Sequence, residues 1–365
     1  MAKIYIDGLF YKGSGIGRYY EFLLGELSKH ITTYTCVPQR LEEEFINQFG
    51  DNSNINPMFV DYEKFSIKGF INQSAVLKNL EPKVNLFFFP HINLPFYVPQ
   101  NTVVTIHDLR PFTEFWDRNT IKKIILKRIF YDRAIKRSKA IIAISKTTKE
   151  DILKNFPKLQ KKINIIYQAF SINTQRTTEV EKRLVEKDYI LYVGQFKKHK
   201  NIDRLIKSFS FIKNKANIKL VLAGKEDNID ILNIVRNKKM EKDIQVFMNP
   251  SDEELINLYK NAKTLILPSL YEGFGLPPLE ALYFDIPILL SNIPIFKEIY
   301  EDIAIYFDPY SEKDIAQKIL YTLENYKTIK VQVKTKKEYI FNKFKKDKII
   351  EKYLIFFDEI SRELL

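Results

Sequence analysis

The stretch LPSLYEGFGLPPLEAL, residues 267–282, decides how the chain is read. It leaves an apolar strand, turns through Gly273 and Gly275, and becomes helical at Pro277 and Pro278. Proline suits the first helical turn, where its missing N–H has no partner to lose. The glycines let backbone approach a ligand closely, and the free N–H groups of a helix start attract anions. Glu272 lies on the loop and Glu280 in the first helical turn, so both can face one space. A carboxylate accepts hydrogen bonds from two vicinal hydroxyls, such as those of a ribose or hexose. Two acids at this spacing alone are more often a helix cap with surface charge. The strand, glycine and proline setting favours the binding reading.

The same alternation of strand, turn and helix runs along all 365 residues. Short apolar runs stand at 3–8, 33–38, 84–90, 102–108, 140–145 and 163–168, with helical patterns such as 16–29 and 118–137 between them. A second series stands at 189–194, 218–224, 244–249, 264–269, 286–291 and 304–309. Such runs predict an α/β architecture of parallel sheets covered by helices on both faces. Ser251 and Glu254 form a capping box before LINLYKNA. The polar stretch 171–183 has no apolar period and marks a domain boundary. The expectation is two doubly wound domains with ligands at the carboxyl ends of the strands and a cleft between the domains.

Composition narrows the class. Glycine numbers only 11, against about 25 at a typical usage of ~7 %. Scarcity makes each cluster informative, and Gly13, Gly15 and Gly17 gather between the first strand and first helix. Alone, such a cluster is more often a tight turn. Its place before a helix favours phosphate contact. Lys+Arg number 58 and Asp+Glu 45, a formal charge of +13, which suits an anionic partner. The charge is diffuse and lacks the basic–aromatic motifs of nucleic-acid modules, so nucleic acid is not the expected partner. Cys36 is the only cysteine, which excludes an internal disulfide. Four histidines without ligand spacing make no zinc site. The N-terminus lacks a signal-peptide core and no apolar run approaches a membrane span, so a cytoplasmic protein is expected.

Taken together, the segments resemble glycosyltransferase family 4, the retaining nucleotide-sugar transferases. IYIDGLFYKGSGIGRYYEFLL (4–24) resembles its N-terminal glycine loop, VVTIHDLRPF (103–112) its HD segment, and AIIAISKTTKEDI (140–152) the strand-Ser-helix that follows. YVGQFKKHKNIDRLIKSF (192–209) resembles its phosphate-lysine segment, and LVLAGK, SDEELINLYKNAKTLILPSLYEGFGLPPLEAL and AIYFDP follow in the family's order. The resemblance covers nearly the whole chain and is weakest between 40 and 100. It implies the GT-B fold, two Rossmann-like domains. Residues 1–175 would bind the acceptor, 184–340 the nucleotide sugar, and a helix at 341–365 would cross back onto the first domain.

The resemblance also assigns roles. His107 and Glu272 become catalytic; Gly15, Gly17, Gln195, Lys200, Phe274, Gly275, Leu276 and Glu280 contact the nucleotide or donor. On spacing alone His107, ending an apolar strand, reads as a core residue, and Lys200 as a surface charge. The family often has arginine where this chain has Gln195 or His199, leaving Lys197 or Lys198 as a second cation. Asp285 stands where the family has a glycine turn. The resemblance implies a metal-independent reaction with no cofactor beyond the nucleotide diphosphate sugar.

GSGIGRYYEFLL, TIHDL and GFGLPPLEAL look most like O-antigen and capsule mannosyl- or rhamnosyltransferases. The expected donor is GDP-mannose, with a UDP- or dTDP-sugar as alternative. The expected acceptor is a lipid-linked or lipopolysaccharide-type oligosaccharide. A GT-B epimerase and a catalytically inactive sugar-nucleotide binder are the other readings. Finally, residues 117–139 carry nine basic and two acidic residues, with Ile121, Ile125 and Ile129 on one face. The plain reading packs that face on the sheet. The other is peripheral contact with anionic lipid on the inner face of the cytoplasmic membrane.

Overall fold

A computed structural model describes residues 3–13, 15–114, 121, 125–170, 183–225 and 230–362. It divides into two compact units. Unit 1 takes Met1–Phe112, Arg118–Ala169 and Lys346–Leu365; unit 2 takes Thr113–Asp117 and Phe170–Lys345. The expected boundary segment 171–183 lies almost wholly outside the described residues.

Unit 1 holds a parallel sheet of β1 (Lys3–Asp7), β2 (Thr32–Pro38), β3 (Ile55–Val60), β4 (Leu86–Phe89), β5 (Thr102–Ile106), β6 (Ala140–Ala143) and β7 (Ile163–Ile165), in the order 3-2-1-4-5-6-7. Unit 2 holds β8 (Tyr189–Val193), β9 (Lys219–Gly224), β10 (Ile244–Met248), β11 (Thr264–Leu267), β12 (Ile288–Ser291) and β13 (Ile305–Phe307), in the order 10-9-8-11-12-13. All twelve expected strands form. β3 was not expected: Pro57 interrupts its pattern, and it is tolerated because β3 is an edge strand paired only with β2.

The apolar runs are buried on both faces, as parallel sheets require. In β4, Leu86 and Phe88 join one core, while Phe87 and Phe89 join the other. The first core is completed by Ile349, Ile350, Tyr353, Phe356, Phe357 and Ile360 of the helix Lys346–Arg362. Residues 341–365 are not one helix, contrary to expectation. One helix ends at Lys343 and the next begins at Lys346. The break falls at buried Phe344, whose carbonyl accepts the Phe170 N–H at 3.0 Å.

Two further findings concern local chemistry, the first a correction. Ile121, Ile125 and Ile129 are 68 %, 44 % and 52 % exposed, so that face does not pack on the sheet. Much of the basic segment, 115–120 and 122–124, lies outside the described residues. Asp285 adopts φ +57°, the left-handed conformation that a glycine would fill there, and its carboxylate pairs with Lys337. Among the described residues no helix is long and apolar enough to cross a membrane.

Candidate functional site

In unit 2 the strand order reverses between β8 and β11, which are hydrogen-bonded neighbours. A doubly wound sheet opens a crevice at the carboxyl ends of such a pair. The chain leaving β8 makes a tight turn over Lys198–Lys200. Asn201 closes it at φ +59°, and its side-chain amide donates to the carbonyls of Pro268 (3.1 Å) and Pro309 (2.8 Å). The Leu270 N–H donates to the His199 carbonyl at 2.8 Å. The lysine turn is thereby fastened to the loop that leaves β11.

This fastening brings Lys200 and Glu272 together. Lys200 Nζ lies 2.5 Å from Glu272 Oε1, and the Ser269 hydroxyl donates to the same oxygen at 2.7 Å. The side chains are 19 % and 10 % exposed, so the pair is shielded yet reachable. Glu272 Oε2 takes no hydrogen bond among the described residues. The neighbouring Tyr192 phenol is held well above its ordinary value by burial, with the Glu272 carboxylate adding to it. Tyr192 therefore stays protonated and donates to the Gln195 carbonyl at 3.1 Å.

The second carboxylate is held from another direction. Glu280 lies in the helix Pro277–Tyr283 and accepts from the Tyr259 hydroxyl at 2.6 Å. Tyr259 stacks on Phe284, with ring centroids 5.9 Å apart. Between the carboxylates the loop is built by backbone. Gly275 adopts φ +86°, and a Cβ there would stand 2.8 Å from the Phe296 ring. Its carbonyl accepts from Tyr300. Phe274 is buried with its ring edge against Phe344 at 5.4 Å. With the side chain buried, its backbone is the part that can meet a ligand. Leu276 caps the helix through its carbonyl, which accepts from the Leu279 and Glu280 N–H groups. His199 is buried, and Lys198 is the exposed cation beside Lys200.

Unit 1 holds the remaining expected residues. Gly15 begins the helix Gly15–Leu27, and an added Cβ there would meet nothing within 4 Å. A Cβ at Gly17 would stand 2.5 Å from the Phe10 carbonyl. Packing thus explains Gly17, whereas Gly15 leaves open space at a helix start. His107 follows β5 directly. Its Nε2 lies 2.8 Å from the Pro90 carbonyl and Nδ1 lies 3.4 Å from the Gln168 amide nitrogen. Donation to one and acceptance from the other fix a neutral ring with the proton on Nε2. Burial pushes its pKa below the ordinary 6.5. The Tyr19 ring stands edge-on to it at 4.8 Å, and Tyr19 in turn bonds Tyr353 on the last helix. Asp108 turns away and accepts from the Arg110 N–H at 2.9 Å, capping its own turn.

The sequence reading did not name Ser269, Tyr259, Asn201 or Gln168. Ser269 lies inside the stretch 267–282 and its spacing to Glu272 could have marked it. The others carry no local signal. Among the described residues no group of acids, histidines and cysteines could hold a metal.

Two doubly wound parallel-sheet units with this strand order define the GT-B fold. The solved glycosyltransferase from Rickettsia africae ESF-5 shares it, with a TM-score of 0.74 at 17 % identity over 98 % of both chains. Residues 174–339 match the family model for glycosyl transferases group 1. The chain is 30 % identical to the O-antigen chain mannosyltransferase RfbU of Salmonella typhimurium, over 59 % of this chain and 58 % of that protein. It is 27 % identical to the O-antigen chain mannosyltransferase B of Escherichia coli, over 63 % of this chain and 64 % of that protein. The alignments thus span about three fifths of the curated relatives' length.

Proposed function

We propose that the protein is a retaining hexosyltransferase. It moves a sugar, mannose from GDP-mannose as the first choice, onto a lipid-linked or lipopolysaccharide-type oligosaccharide. The observation that carries this reading is the Lys200–Glu272–Ser269 cluster at the β8–β11 crevice, with Glu280 held nearby by Tyr259. Lys200 supplies positive charge for a departing diphosphate. Glu280 takes the ribose hydroxyls and Glu272 the sugar hydroxyls. Gln195 and the backbone of Phe274, Gly275 and Leu276 complete the donor side. On unit 1, Gly15 and Gly17 offer backbone to phosphate, and His107 contacts the sugar near the reacting carbon. The named relatives, both O-antigen mannosyltransferases, favour mannose. A UDP- or dTDP-sugar is the alternative donor.

Lysine and backbone N–H groups take the charge that a divalent cation would otherwise carry, so the reaction is proposed to run without metal. Purified protein is offered GDP-, UDP- and dTDP-sugars with glycolipid acceptors, with and without EDTA, and free nucleotide is measured. Turnover of one donor, unaffected by EDTA, is expected. No turnover with any pair, together with unchanged nucleotide binding in Glu280→Ala, would refute the assignment. The inactive sugar-nucleotide binder is the second reading. It is favoured by Gln195 and the buried His199, which stand where the family often carries an arginine.

A further inference from the structure

Unit 1 reverses its strand order between β1 and β4, which pair in parallel through Ile4–Leu86, Tyr5–Phe87 and Ile6–Phe88. The carboxyl ends of such a pair are where a doubly wound sheet carries its ligand loops. Asp7 ends β1, and His91 lies just beyond the end of β4. Their side chains are 0 % and 1 % exposed and meet there, His91 Nε2 lying 2.8 Å from Asp7 Oδ1. A carboxylate this deep is tolerated only when donors fill its oxygens. Oδ1 also accepts the Leu9 N–H at 3.1 Å, and Oδ2 accepts the Tyr5 hydroxyl at 3.0 Å and the Gln73 amide. The Asn93 N–H donates to His91 Nδ1 at 3.1 Å, so the ring proton sits on Nε2 and points at Asp7. Both ring nitrogens are engaged inside the fold, which leaves the ring face as the part of His91 that other residues meet.

That face meets Phe10, with ring centroids 4.4 Å apart and planes inclined by 40°. Phe10 is buried, and the glycine loop turns on its carbonyl oxygen. The oxygen accepts the Gly13 N–H at 2.8 Å, and a Cβ at Gly13 or Gly17 would stand 2.7 or 2.5 Å from it. The loop is therefore wrapped on one residue, and that residue is seated on His91. A shift of Phe10 carries the backbone of Gly13 and the start of the helix Gly15–Leu27 with it. We propose that His91, oriented by Asp7 and the Asn93 N–H, is a positioning residue: through Phe10 it sets the backbone at Gly13, Gly15 and Gly17 in the geometry that receives the donor's diphosphate. The inference rests on the transferase reading for its ligand, and on the buried contacts alone for the loop.

Two variants of the full chain divide this series of contacts. His91→Gln keeps an amide N–H for Asp7 but has no ring for Phe10. Phe10→Leu keeps an apolar side chain, leaves the Asp7–His91 pair whole, and carries the test if the first variant does not fold. Amide exchange is measured first, without nucleotide. Faster exchange at Tyr11 and Gly13 is expected in both variants, with the rates in β4 and β5 unchanged. Calorimetry with GDP and UDP follows. Whichever diphosphate the parent binds should bind both variants about tenfold more weakly, the scale of a lost charge-assisted contact. The corresponding nucleoside should bind parent and variants alike, and the acceptor KM should hold, a split that general destabilisation would not produce. Unchanged exchange, unweakened diphosphate binding, or equal weakening of nucleoside and diphosphate would overturn the inference and leave the transferase reading standing. A parent that binds neither diphosphate would refute the transferase reading and with it the diphosphate role, whereas loosened exchange in the variants would still mark His91 as the seat of the loop.

Discussion

Lys200 Nζ and Glu272 Oε1 stand 2.5 Å apart, so two residues with separate expected duties form one ion pair. On the proposed reading, a diphosphate arriving at Lys200 would compete with Glu272. Sugar hydroxyls then find a carboxylate already shared with Ser269. Glu272→Gln is expected to lower turnover by about 10²–10³, while nucleoside diphosphate binding holds or tightens because Lys200 is released. Lys200→Ala is expected to weaken nucleoside diphosphate binding at least tenfold, the scale of a lost charge-assisted contact. Calorimetry beside steady-state kinetics checks both. Parallel loss of nucleotide affinity in the two variants would contradict the competition.

Tyr259→Phe removes one hydroxyl from Glu280 and leaves the ring stacked on Phe284. The bond is worth roughly 0.5–1.5 kcal/mol, so ribonucleotide affinity should fall about 2- to 13-fold. A 2′,3′-dideoxynucleotide should bind parent and variant alike. If both ligands weaken equally, Tyr259 supports the helix and does not orient the carboxylate.

The glycines of the first loop are expected to separate. Gly17→Ala places a Cβ against the Phe10 carbonyl and should destabilise the fold by about 1–3 kcal/mol. Gly15→Ala meets open space and should stay within about 0.5 kcal/mol of the parent. Its expected effect is weaker nucleotide-sugar binding. Denaturant unfolding and donor titration on both variants decide the matter.

His107 contributes a pH dependence of stability. Burial holds its folded pKa below 6.5, so between the folded and unfolded values the unfolded chain binds a proton that the folded chain refuses. Stability is therefore full above 6.5 and declines as the pH falls below it. His107→Gln should flatten this acid slope of the melting temperature. An unchanged slope would show that other groups carry it.

Much of this was legible in the sequence because it is local. Buried parallel strands read as unbroken apolar runs, and twelve of them stood out. β3 did not, because an edge strand can carry Pro57 and half-exposed residues without penalty. The stretch 267–282 announced its own turn, helix start and two acids. What it could not announce was their partners. Tyr259 and Glu280 lie 21 positions apart, Lys200 and Glu272 lie 72, and His107 and Gln168 lie 61. Such pairs exist only after strand order is set. The same limit hid the outward turn of Ile121, Ile125 and Ile129, since spacing defines a face without saying what covers it. Asp285 shows the reverse case: a departure from glycine whose left-handed backbone confirms the turn.

The helix Lys346–Arg362 gives the protein an order of completion. It supplies six core side chains to the sheet that contains β1, yet residues Phe170–Lys345 of unit 2 are synthesised between that sheet and this helix. At ~5–20 residues per second, the face formed by Ile4, Ile6, Leu86 and Phe88 waits roughly 13–50 s for its cover. The half of the molecule that leaves the ribosome first is therefore the last to complete its core.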